Sequence, residues 1–122
     1  MTIKSFEDLI VWQKSRVLAV VVYKVTRTFP SSERFNLTDQ INRCVVSVAA
    51  NIAEGFSRYH AKESMMFYRN ARGSLSELKS HLYIAMDLGF ITKVKFEELR
   101  EMMDEIGKLL NGLINSTSKY RI

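Results

Sequence analysis

Apolar residues recur at spacings of three and four through most of this chain, which is the signature of one buried helical face. Val11, Ser15, Leu18, Val22 and Val25 share the first such face, and the pattern predicts a helix over about 6–28. Ser5 and Asp8 offer a capping-box-like start, and Pro30 disfavours helix at the residue before it. The run from Val17 to Val25 is rich in β-branched residues and would suit a strand, but the periodic pattern is far longer than a usual strand. A second helix is expected over about 37–57, with Asn36 or Thr38 as its cap and Leu37, Ile41, Val45, Val48, Ile52 and Phe56 on its apolar face. Val46, Ala50 and Ala53 form a smaller-residue strip beside that face, suited to close approach of another helix.

The third helix should span about 61–88, with Tyr68, Ala71, Leu75, Leu78, Leu82 and Ala85 inward and Gly89 as the left-handed residue past its end. Gly73 interrupts this helix at a cost of about 1 kcal/mol relative to Ala, and a close helix contact would explain it. Thr92 can cap a fourth helix over about 93–115. There Phe96, Leu99, Met103, Ile106, Leu110 and Leu113 form a bundle seam. Glu97, Glu98, Glu101, Asp104 and Glu105 line its opposite side. Four such helices with short connections predict an all-α, antiparallel, up-down-up-down four-helix bundle, occupying 1–122 as one domain. A chain of 122 residues with one Pro and five Gly has too few turn formers for an all-β fold.

Charge adds a functional hint. The 18 Lys and Arg exceed the 13 Asp and Glu, for a net +5. Between Leu9 and Ser32 lie Lys14, Arg16, Lys24 and Arg27 without a single acid. A one-sided positive field favours anionic partners, although a net charge of about 2–8 is also ordinary for a small domain. The single Cys44 excludes an internal disulfide and suits a reducing compartment. Acids precede any apolar run at the start, so no secretory signal is read there. No uncharged run approaches the roughly 20 residues that a membrane helix needs. The expectation is a cytoplasmic protein without membrane association.

The runs FEDLIVWQKS (Phe6–Ser15), SVAANIAEGFSR (Ser47–Arg58), ARGSLSEL (Ala71–Leu78) and LGFI (Leu88–Ile91) resemble a known family. It comprises the four-helix-bundle proteins encoded in intervening sequences of bacterial large-subunit ribosomal RNA genes. It also includes the accessory variability determinant of diversity-generating retroelements. The resemblance covers nearly the whole chain in the same order. It implies a four-helix bundle that assembles as a homopentamer. For the retroelement branch it implies binding to nucleic acid and to a reverse transcriptase. The family often has Pro where this chain has Ala49, which should straighten the second helix locally. The family has no catalytic residues to carry over.

Two basic patches are candidates for contact with a nucleic-acid backbone, RNA or DNA. On the third helix, at about 100° per residue, Lys62, Arg69, Arg72 and Lys79 share one flank, and Arg58 and His60 can extend the row. The competing reading pairs these cations with acids of a neighbouring helix, for instance Glu54 with Arg58 or Arg72. On the first helix Arg16, Lys24 and Arg27 fall within about 80° of arc, or else form an ordinary solvated face. Ile10, Val17 and Val21 make a second apolar stripe there, which favours use in a homo-oligomer interface over a merely wide core face. Trp12, Tyr23, Tyr59 and Tyr68 could stack on bases or simply pack at bundle edges.

Signals for chemistry are sparse. Bundle metal sites use paired Glu-x-x-His motifs, whereas Glu77 and His81 are four apart and unrepeated. Ser74, Glu77 and His81 on one helix face cannot supply nucleophile, base and oxyanion hole together. No glycine-rich phosphate loop is present, and Cys44 reads as a small core residue. The expectation is therefore a non-catalytic accessory protein that needs no cofactor or metal and binds nucleic acid or a ribonucleoprotein partner. The alternative is a protein-interaction scaffold whose basic residues only keep it soluble.

Overall fold

The structure is a computed structural model that describes residues 2–119. Four helices account for most of them: α1 (Ile10–Thr26), α2 (Leu37–Phe56), α3 (Ala61–Asp87) and α4 (Lys93–Lys119). Each helix packs on its chain neighbours, and α4 closes back on α1, while the backbones of the diagonal pairs α1–α3 and α2–α4 stay apart. Cross-helix contacts run in opposite senses along each adjacent pair. Cys44 meets His81 while Gly55 meets Tyr68, and Arg72 meets Asn111 while Lys79 meets Asp104. The result is an antiparallel four-helix bundle with all four seams facing one core.

The helices end for local reasons. The expected first helix is broken: Phe6–Asp8 form a separate 3-10 turn, and Leu9 is extended at φ −76° and ψ 124°. Asp8 does cap, accepting the Ser5 backbone N–H at 3.2 Å, but it caps that short turn rather than α1. The break lets Phe6 turn back edge-on against Trp12, with ring centroids 4.9 Å apart. At the far end α1 stops at Thr26, two residues sooner than expected. Phe29 then folds into the core against Phe90, ring centroids 5.5 Å apart, and closes one end of the bundle.

Neither predicted cap of α2 acts as one. Asn36 holds the cap position, yet its side chain donates to the Ser32 carbonyl, and the Leu37 N–H is satisfied by the Glu33 carboxylate at 3.3 Å. Thr92 does cap α4, accepting the Lys95 N–H at 3.1 Å. Gly89 lies at φ 79°. Around it the Phe90 N–H reaches the Ala85 carbonyl and the Gly89 N–H the Met86 carbonyl, the paired bonds of a Schellman ending.

The expected inward residues of α3 are all buried. On α4 the last is not Leu113 but Ile114. A straight helix has 3.6 residues per turn, so a strict seven-residue seam drifts and a step of four replaces the last step of three. Ser15, buried on α1, donates to the Val11 carbonyl at 2.7 Å and so enters the core satisfied.

Gly55, and not Gly73, is the glycine at a close helix contact. Gly73 is exposed, with nothing near a would-be Cβ, so no close contact explains it. Gly55 is buried where α2 meets α3, and a Cβ there would stand 2.6 Å from Tyr68 Cε1. The Val46, Ala50 and Ala53 strip does not mediate that approach, since Val46 and Ala50 are exposed. Ala at both positions gains helix propensity, about 1 kcal/mol, but only Gly55→Ala overpacks a buried ring, at about 1–3 kcal/mol. Urea denaturation midpoints should therefore move apart, up for Gly73→Ala and down for Gly55→Ala.

Candidate nucleic-acid interface

The α3 row is largely engaged within the chain. Lys79 Nζ lies 2.8 Å from Asp104 Oδ1 on α4. Arg72 donates to the Asn111 side chain at 3.1 Å. Arg58 pairs with Glu54, as the competing reading held, and its guanidinium stacks 4.6 Å from the Phe67 ring centre. Asp104 is shared, since Arg100 Nη1 also reaches it at 3.3 Å. The bonded Lys79 ammonium, with Arg100 and Lys108 nearby, holds the Asp104 carboxyl below its ordinary value. Arg72 and Lys79 thus line a groove of about 460 Å³ between α3 and α4, together with Lys108. Lys108 went unnoticed in the sequence because its helix reads as acidic. Lys62, Arg69 and Arg72 of the α3 row have no acid within ion-pair distance among the described residues, and of these Arg72 is held by the Asn111 amide.

The α1 patch is different. Arg16, Lys24 and Arg27 are exposed and unpaired among the described residues. Arg16 lies over the Trp12 ring at 5.7 Å. Lys14, the fourth cation of this stretch, is taken up by Glu105 of α4 at 3.3 Å. Tyr23, Lys24 and Arg27 border a shallow depression floored by Ala19 and Val20, about 320 Å³ in volume. An aromatic ring beside two free cations is the arrangement that accepts a base on its face and phosphates at its edge.

Of the second apolar stripe, Ile10 and Val17 are 58% and 54% exposed, whereas Val21 is half-buried and packs on the core. Val20, 52% exposed, is the apolar residue that sequence reasoning missed. It lies opposite the Leu18–Val22 face at about 100° per residue, so the periodicity held the signal. Val21 also lines a cleft of about 460 Å³ with Val25, Phe90 and Ile91, at the end of the bundle where α1 meets the start of α4. Since α1 and α3 are diagonal, their outward cations face opposite sides of the bundle.

Away from these patches, Cys44 of α2 meets Glu77 and His81 of α3, with one potential donor atom from each all within 4.8 Å of one another. Burial first, then the Glu77 carboxylate, pushes the Cys44 thiol up to about 12. One turn along, the Ser47 and Ser74 hydroxyls bond at 2.9 Å, and the Asn51 amide donates to Ser47.

Fold and patches together define a small helical-bundle protein with a basic, partly apolar outer helix. The family model for the 23S rRNA-intervening sequence proteins matches residues 7–112, and the chain belongs to that family. A solved structure from Bacteroides thetaiotaomicron, a protein of unknown function from the S23 ribosomal protein family, has the same fold. It superposes with a TM-score of 0.81 at 24% identity, over 87% of this chain and 96% of that one. No curated protein matches the chain. No helix among the described residues is long and apolar enough to cross a membrane.

Proposed function

We propose that this protein is a non-catalytic, nucleic-acid-binding accessory factor that works as a homo-oligomer and grips the sugar–phosphate backbone through α1. The observation that carries this reading is the trio Arg16, Lys24 and Arg27, exposed on a helix without acids while Lys14 is neutralised across the bundle. Desolvating a free cation against phosphate breaks no existing ion pair, and its counterion gain is undiminished. Lys62 and Arg69 form a second, weaker contact on the opposite side, and Arg58, Arg72 and Lys79 are reserved mainly for holding the bundle together.

The apolar residues divide α1 into two working flanks. Ile10 and Val17 lie on the flank toward α4, where Lys14 meets Glu105. Arg16, Tyr23 and Arg27 lie on the flank toward α2, where Thr26 meets Asn42. Copy-to-copy contact along the first flank leaves the second free. Assembly as the pentamer implied by the family resemblance repeats the cationic flank around the ring, and several weak sites then act with avidity. The reading has no base-reading element, so binding is tolerant of sequence.

A gel mobility assay at low salt tests the reading with wild type and the pair Lys62→Glu with Arg69→Glu. Wild type should shift single-stranded RNA, and the pair should weaken the shift only a few-fold. Absence of any shift by wild type would overturn nucleic-acid binding and leave the protein-interaction scaffold in its place.

A further inference from the structure

We propose that Cys44, Glu77 and His81 form a three-ligand site for a divalent transition-metal ion of the zinc class at the α2–α3 seam. The three residues supply a thiolate, a carboxylate and an imidazole, the donor set that selects such ions over magnesium or calcium. Glu77 and His81 are four apart on α3, so they stand one above the other on one helix face. Cys44 reaches them from α2, and one potential donor atom of each residue lies within 4.8 Å of the other two.

Zinc bonds of about 2.0–2.3 Å at tetrahedral angles place donor atoms roughly 3.3–3.8 Å apart. Glu77 Oε2 and His81 Nε2 already stand at 3.4 Å. From separations of at most 4.8 Å the remaining contraction is about 1.5 Å or less. Glu77, with 56% of its side chain exposed, is free to adjust toward the ion. The Cys44 and His81 anchors are held by packing, with Cys44 buried and the His81 side chain only 20% exposed.

A second observation points the same way. His81 Nε2 is closed off from solvent and makes no hydrogen bond among the described residues. Its approach to Glu77 is short enough for an ion pair but not aligned for a hydrogen bond. A buried ring nitrogen without a partner is costly, and a metal ion satisfies it. Glu77 has no Lys or Arg within ion-pair distance among the described residues. A dication bound by thiolate, carboxylate and neutral imidazole gives a site with no net charge. The thiol proton leaves to solvent as the metal–sulfur bond forms, and no redox partner is required.

Co²⁺ is the probe, because a thiolate ligand gives it a charge-transfer band in the near ultraviolet and four-coordination gives intense visible bands. The full chain, reduced and stripped with chelator, should saturate at one Co²⁺ per chain with both features. Zn²⁺ should displace them and Mg²⁺ should not. Cys44→Ser should abolish the charge-transfer band while far-ultraviolet circular dichroism stays helical. Changes to groups beyond the ligands of a metal site already cost about 10–100-fold in affinity. Glu77→Gln, at an exposed position that cannot unfold the bundle, and His81→Gln should weaken Co²⁺ at least that much. His60→Gln should leave it unchanged. A titration without the charge-transfer band, or a band that survives Cys44→Ser, overturns the site and leaves the trio as a packed ion pair.

Discussion

Phe96→Ala should destabilise the bundle by about 3–5 kcal/mol. The ring is 1% exposed and lies against Tyr83 of α3, centroids 4.4 Å apart, near the start of α4. Truncation removes the transfer free energy of a whole phenyl group and leaves a cavity that rigid helical backbone cannot close. Domains of this size are stable by only about 5–15 kcal/mol in total. The melting temperature should therefore fall by about 10 °C or more. Thermal and urea denaturation followed by circular dichroism measure both quantities. A loss below about 1 kcal/mol would mean that Phe96 is not packed as described.

The triple change Arg16→Glu, Lys24→Glu and Arg27→Glu should abolish measurable binding to single-stranded RNA at the salt where wild type is half-bound. Each reversal removes one phosphate contact and adds a repulsion, and phosphate contacts supply most of the free energy of sequence-tolerant binding. A loss of about two to three orders of magnitude is expected for three reversals on one helix, at about 1–1.4 kcal/mol each. The side chains are exposed, so helicity and melting should change little. Tyr23→Ala should weaken binding further through lost stacking, by about 1–3 kcal/mol per base. Fluorescence anisotropy of labelled RNA gives the affinities, and unchanged binding by the triple variant would remove α1 from the interface.

Periodicity in the sequence was enough to find the four helices and most of the core. Burial on a helix face depends on spacings that any apolar pattern displays. The misses share a different cause. The chain breaks at Leu9 and lets Phe6 pack against Trp12, a contact between side chains that no local signal announces. Gly55 and Gly73 look alike in the sequence and differ only in which one faces Tyr68. The cations of the α3 row align on one flank in the sequence. That Asp104 and Asn111 of α4 would occupy Lys79 and Arg72 depends on the register between two helices. The same register brings Cys44 to Glu77 and His81. The i, i+4 half of that trio was visible from spacing alone, and the third member came from another helix.

The most direct measurement is a salt titration of wild-type affinity for a labelled, unstructured RNA. With the three α1 cations on one strand, log K should fall linearly with log salt at a slope of about −2 per engaged patch, and more steeply where several copies engage. The same slope should hold for RNAs of unrelated sequence. Binding that is absent at the lowest salt, or affinity that does not change as salt rises, would contradict the account.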